Sequence, residues 1–203
     1  MKIEEDVKRA EAALQKSDPK LGELIELQKP VFFPPRTNYF LSLCRSIVGQ
    51  QVSVASAAAI FSRLESVTAL DPVKVAKLTD RQVKEIGLSR QKTGYIKDLA
   101  QHFIDNPRVY HHLGQHTDEQ VIEELTEIKG IGLWTAQMFL MFSLTRLDVF
   151  APDDAGIQRA MMKLYGWKKL PERQKLEKIA ENWRPYRTVA SWHLWRSLQN
   201  SPL

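Results

Sequence analysis

Apolar residues return at helical spacing in one segment after another of this chain, and alternation of apolar with polar residues is scarce, so an all-α fold is expected. The helix ends are marked by the same sequence. Ile3 to Gln15 reads as a first helix, broken by Ser17-Asp18-Pro19, and Pro30 to Pro35 reads as a stiff connector before a long helix over about Asn38 to Ile47. Gly49-Gln50-Gln51 interrupts that run ahead of a second helix through Leu64. Asp71-Pro72 sets a capping residue before a proline at a first helical position, and Thr79 to Gln82 has capping-box spacing. Two short helices are expected to follow, ending near Gly87 and His102. Thr117 to Gln120 is another capping box, and Val121, Ile122, Leu125 and Ile128 form an apolar stripe that stops at Lys129-Gly130. The next helix, with Leu133, Ala136 and Leu140 on one face, leaves only Gly130-Ile131-Gly132 for the turn. Beyond it come Asp153-Asp154, a helix from about Ala155, a helix started by Pro171 and a last helix rich in tryptophan.

With 203 residues the chain can bury one sizeable core or two small lobes. Its 43% hydrophobic and 26% charged residues are the balance of a folded domain, not of a disordered chain. The formal net charge of +5 permits a polyanionic partner without requiring one. Cys44 is the sole cysteine, which excludes an internal disulfide and any four-cysteine iron–sulfur or zinc site. Set in the apolar run Tyr39 to Cys44, it reads as a small buried hydrophobe. His111, His112 and His116 flank Leu113-Gly114 in an expected loop, without the helically spaced carboxylate that would support a metal site. The opening residues Met1 to Asp6 are acidic and amphipathic and no later window approaches a membrane span, so a cytoplasmic protein without membrane contact is expected, and its length suits a monomer.

Two helices joined through Gly130-Ile131-Gly132 make a tight turn in which the glycines can adopt positive φ and present peptide N–H groups. Such a turn leading into a helix N-terminus is a natural phosphate site, with Ile131 tucked into the hairpin and Lys129 adding charge. Alone, the pattern fits a plain interhelical turn as well as a DNA clamp. Asp154, ahead of the helix from Ala155, reads locally as an N-cap held by backbone N–H groups at the positive end of a helix dipole.

The wider context narrows this. Leu125-Thr126-Glu127-Ile128-Lys129-Gly130-Ile131-Gly132-Leu133-Trp134-Thr135-Ala136 closely resembles the helix-hairpin-helix of the base-excision DNA glycosylases. Asp148 to Ile157 resembles the segment carrying that superfamily's catalytic aspartate, at the expected separation from the hairpin. Arg45 to Ser53, together with Trp183-Arg184-Pro185-Tyr186-Arg187 and His193-Leu194-Trp195, resembles the 3-methyladenine DNA glycosylase II family in particular. The similarity runs from about Phe40 to Leu198.

That resemblance implies two helical lobes around a cleft: a central lobe over about 38–142, and a second built from 1–37 and 143–203, without the β-rich amino-terminal domain of larger members. It implies double-stranded DNA with damaged bases as the partner and hydrolytic release of alkylated purines in base excision repair as the activity. No cofactor is required. Asp154 takes the catalytic position, with Asp153 as its neighbour. Trp134 stands where strand-cutting members carry a Schiff-base lysine, so a monofunctional enzyme is expected. Trp134 and Trp195 fall on base-pocket positions, and Met138 stands where some members have a pocket tyrosine, whereas Trp183 and Trp192 read as core. Gln51 matches the residue that wedges into the duplex when a base is flipped. Lys129, Gly130, Ile131, Gly132, Arg184 and Arg187 are expected to contact the DNA backbone, and the carbonyls of Thr126, Ile128 and Gly130 to hold a monovalent cation. The rival readings are a non-catalytic DNA-binding hairpin protein and a glycosylase of the same fold acting on deaminated or ethenylated bases.

Overall fold

Asp18 starts a helix where the sequence reads only a break. In the computed structural model of the protein, which describes residues 2–30 and 37–199, its side chain accepts the Leu21 N–H (3.2 Å) and Pro19 occupies the first turn. The chain divides into two compact units, Met1–Pro35 with Thr145–Leu203, and Arg36–Leu144. In order, the helices are α1 (Lys2–Ser17), α2 (Pro19–Glu26), α3 (Tyr39–Gly49), α4 (Val54–Thr68), α5 (Pro72–Ala76), α6 (Asp80–Ile86), α7 (Arg90–Asp105) and α8 (Pro107–His111). After them come α9 (Asp118–Thr126), α10 (Leu133–Phe142), α11 (Ala155–Tyr165), α12 (Arg173–Ala180) and α13 (Arg187–Gln199). No strand occurs among the described residues, which bears out the all-α reading.

In the first unit Val7, Ala10 and Leu14 form the buried stripe of α1, facing α2 and α13. Asp18 ties this unit together, because its carboxylate also accepts the Trp183 indole N–H (2.9 Å) and the Tyr165 hydroxyl. Trp183 is fully buried, as its core reading requires. The helix expected from Pro171 begins instead at Arg173, with Glu172 at the N-cap position and no side-chain cap bond, so that Pro171 lies ahead of the helix.

In the second unit Leu43, Cys44 and Ile47 of α3 pack with Ile96, Leu99 and Ala100 of α7, all without solvent exposure. Burial pushes the Cys44 thiol far up, so it is the inert apolar filler its context suggested. The expected helix starts at Thr79 and Thr117 are full capping boxes, with side chain and backbone bonds in both directions. Three boundaries differ from expectation: α4 continues to Thr68, α7 reaches Asp105 rather than stopping at His102, and the loop expected around the histidines contains α8 and the 3₁₀ turn Leu113–Gln115. The connector expected over Pro30 to Pro35 lies, past Pro30, outside the described residues. No described helix is long and apolar enough to cross a membrane.

Candidate active site

The second unit carries the hairpin. Helix α9 ends at Thr126, and residues 127–132 turn the chain into α10, a longer turn than the glycine triplet alone. Gly130 has φ +84°, and a Cβ there would meet the Tyr95 ring at 2.2–2.7 Å, so both backbone and space demand glycine. Gly132 corrects the expectation of positive φ at both positions: it is extended at φ −102°, and nothing within the protein lies near its missing Cβ. Ile131 is buried, as expected. Gly132 heads α10 with no side-chain cap, so the amides of the first turn present the positive helix end outward.

Asp98 of α7, which the sequence did not single out, anchors this turn. Its carboxylate accepts the Lys129 backbone N–H and the Lys129 ammonium, both at 2.9 Å, with His102 Nε2 at 3.7 Å. Burial pushes the Asp98 carboxyl up, but the bonds from Lys129 and the charges of Lys129 and His102 outweigh it and hold the carboxyl below its ordinary value. Lys129 is nevertheless 74% exposed, which leaves its charge on the surface. Of the carbonyls expected to hold a cation, that of Ile128 accepts the Ile131 N–H (3.0 Å) and that of Gly130 accepts the Gln50 amide (2.8 Å). Each keeps a second lone pair, so the set is compatible with a cation.

Gln51, Trp134 and Met138 are brought together: they line one cavity of about 470 Å³ with Arg45, Ser46, Gly49 and Gln50. Trp134 is 48% exposed, which suits a contact surface better than a core. Gln51 is exposed and held in the left-handed region at φ 55°, a strained state for a residue with a Cβ.

The first unit carries the aspartate. Asp154 caps α11, its Oδ1 accepting the Ile157 N–H at 2.8 Å. The Trp195 indole N–H donates to the same oxygen, also at 2.8 Å, so cap and aromatic partner converge on one atom. Gly156 makes this possible, since a Cβ there would lie 2.9–3.0 Å from the Trp195 ring and from Asp154 Oδ1. Its signal in the sequence was a glycine in the first turn of a helix, where it costs stability. Asp153 pairs instead with exposed Arg173 at 2.9 Å. Arg187, expected at the DNA backbone, has a side chain that is 16% exposed, and its guanidinium donates to the Asp148 carboxylate (2.8 and 3.0 Å) and to the Asp148 carbonyl (2.9 Å). It braces the start of the segment that leads to Asp154. Arg184 is 49% exposed and divides its bonds between Glu181 and Asp148.

The sequence profile of the family described as HhH-GPD superfamily base excision DNA repair protein matches residues 44–185. The chain belongs to this superfamily. Among its HhH-GPD relatives, DNA-3-methyladenine glycosylase 1 of Schizosaccharomyces pombe is 30% identical over 183 residues, covering 88% of this chain and 80% of that protein. The crystal structure of a DNA-3-methyladenine glycosidase from Bacillus halodurans superposes with a TM-score of 0.82 at 37% identity, over 93% of this chain and 88% of that one. The S. pombe 3-methyladenine DNA glycosylase in complex with abasic DNA superposes with a TM-score of 0.84 at 28% identity, over 95% and 98% of the two chains. These relatives place the chain in the 3-methyladenine glycosylase branch of the HhH-GPD superfamily.

Proposed function

We propose that this protein is a monofunctional DNA glycosylase that flips alkylated purines of the 3-methyladenine and 7-methylguanine type out of duplex DNA and hydrolyses their N-glycosidic bond, leaving an abasic site. The observation that carries the reading is the Asp154 carboxylate, fixed at the head of α11 by the Ile157 amide and the Trp195 indole on one oxygen. As the bond from C1′ to the base breaks, its electron pair leaves with the base and positive charge grows on the sugar. A carboxylate already held in place stabilises that charge without reorganising. Water then adds to C1′ and gives up a proton, for which Asp154 is the acceptor or the orienting group.

Alkylation leaves the purine cationic, and an exposed tryptophan face such as that of Trp134 favours such a ring by about 0.5–2 kcal/mol through cation–π attraction. Gln51 fills the space vacated in the stack. The DNA backbone is held by the uncapped first turn of α10, by the exposed charges of Lys129 and Arg184, and by the close approach that Gly132 permits. The carbonyls of Thr126, Ile128 and Gly130 would hold a monovalent cation that adds positive charge beside a phosphate. Tryptophan at position 134 supplies no amine for a Schiff base, which supports release by water alone. The protein works as a monomer in the cytoplasm.

The test is a panel of duplexes, each with a single 7-methylguanine, ethenoadenine or hypoxanthine, scored for free base and alkali-labile sites. Excision of 7-methylguanine is expected, and Asp154→Asn is expected to lose it while retaining DNA binding, because the amide oxygen can still cap α11. A panel in which no lesion is released although DNA binds would make the hairpin a binding module only. Release of hypoxanthine without 7-methylguanine would move the substrate to deaminated purines.

A further inference from the structure

Gln51 sits on a turn with no helix of its own, in a backbone conformation that residues with a Cβ avoid, so something must hold it. Two ties converge there. The Lys92 ammonium, from the first turn of α7, donates to the carbonyl of Val48 (2.8 Å) and to that of Gln50 (2.6 Å), the two residues that flank Gly49 at the end of α3. The Gln50 side chain reaches the other way and donates to the carbonyl of Gly130 in the hairpin (2.8 Å). The peptide bond that leads into Gln51 therefore has its oxygen held by a cation, and its residue's side chain is fixed to the turn that faces the DNA backbone.

We infer that Lys92 is a positioning residue for base flipping: it locks the turn after α3 so that Gln51 is presented at a fixed place relative to the hairpin. This rests on the wedge reading of Gln51 given above. Lys92 itself need not touch DNA. An ammonium also suits a helix C-terminus on general grounds, since it answers carbonyls that have no partner in the helix and the negative end of the dipole. The further point is its location. Val48 and Gln50 are the last fixed carbonyls before the strained residue, so removing the cation frees the turn where the wedge is mounted.

A brace for the wedge affects a lesion according to how firmly that lesion is paired, whereas a residue that only supports the fold affects all substrates alike. Single-turnover excision should be compared for 7-methylguanine opposite cytosine and opposite a tetrahydrofuran abasic analogue, which offers no pair to break. For Lys92→Met the paired substrate is expected to slow by roughly tenfold or more, the scale of a lost charge-assisted positioning bond, while the unpaired one slows by less than about threefold. Lys92→Arg should restore most of the paired rate, and Gln51→Ala should reproduce the same selective loss. A second readout does not need excision: 2-aminopurine beside a tetrahydrofuran site should brighten when the wild type intrudes into the stack. Neither Lys92→Met nor Gln51→Ala should brighten it.

If Gln51→Ala shows the selective loss or the lost brightening and Lys92→Met does not, the proposal is wrong and the wedge stands. If Gln51→Ala shows neither, the wedge reading fails and takes the proposal with it. An equal loss on both substrates in Lys92→Met reduces the residue to a support of the fold. Should Lys92→Met fail to fold by circular dichroism, Gln50→Ala carries the same comparison through the tie to Gly130.

Discussion

Substituting Gly156 by alanine sets two local preferences against each other, and the site geometry says which one controls activity. In the first turn of α11 alanine favours the helix over glycine by about 1 kcal/mol. The added Cβ, however, would stand 2.9 Å from Trp195 Cδ1, 3.0 Å from its Nε1 and 3.0 Å from Asp154 Oδ1. At such distances the indole must give way, at a cost of about 1–3 kcal/mol for overpacking, and the N–H bond to the carboxylate is lost with it. The two stability terms nearly cancel, leaving a net change of roughly 0–2 kcal/mol against the fold and a Tm shift of only a few degrees. The effect on chemistry is larger, because a hydrogen bond to a charged group contributes about 1.5–3 kcal/mol, which as lost orientation of the carboxylate is about 10- to 100-fold in the chemical step. Single-turnover excision at saturating enzyme, with a thermal melt alongside, measures both. Trp195→Phe, which keeps the ring but not the donor, should give a loss of similar size. Gly156→Ala with wild-type rates would refute the reasoning, since the indole bond would then have no part in placing Asp154.

The hairpin glycines should separate in the same way. Gly130→Ala, which needs both positive φ and the volume of the Tyr95 ring, is expected to cost about 2–5 kcal/mol in urea unfolding, and Tyr95→Ala in the same chain should recover the steric part. Gly132→Ala, extended and unobstructed, should leave stability within about 0.5 kcal/mol yet weaken binding to abasic-site DNA. The Asp98 carboxyl sits below its unfolded value, so its contribution is present above about pH 4 and is lost as pH falls through the folded value. The stability gap between wild type and Asp98→Asn should therefore shrink on acidification from pH 6 to about pH 3, and a gap independent of pH would contradict the pairing with Lys129. Borohydride trapping on lesion DNA should yield no covalent adduct, and an efficient crosslink would expose an amine nucleophile that position 134 does not provide.

What the sequence revealed followed the range of the interactions. The capping boxes at Thr79 and Thr117 and the cap at Asp154 are made within three residues, and each could be read from spacing alone. Asp18 was also local, but its pairing with Pro19 signals both a helix stop and a helix start, and only the stop was read. Asp98, Lys92 and the Gln50 bond to Gly130 were not legible, because each joins residues dozens of positions apart and none has an unusual neighbour in the chain. Arg187 stood out as a basic residue beside a signature, but its hold on Asp148 spans too much of the chain to be read from spacing. Gly132 and Gly130 look alike in sequence, yet one is shaped by its own backbone and Tyr95 while the other faces open space.

A carboxylate whose rotamer is fixed from two directions through a single oxygen behaves like a fixed charge in a crystal lattice more than like a side chain. It cannot travel to meet different sugars. If Asp154 acts as proposed, the DNA has to deliver C1′ to a stationary point, so the ease with which a base leaves the stack adds to the preference of the pocket for a cationic ring.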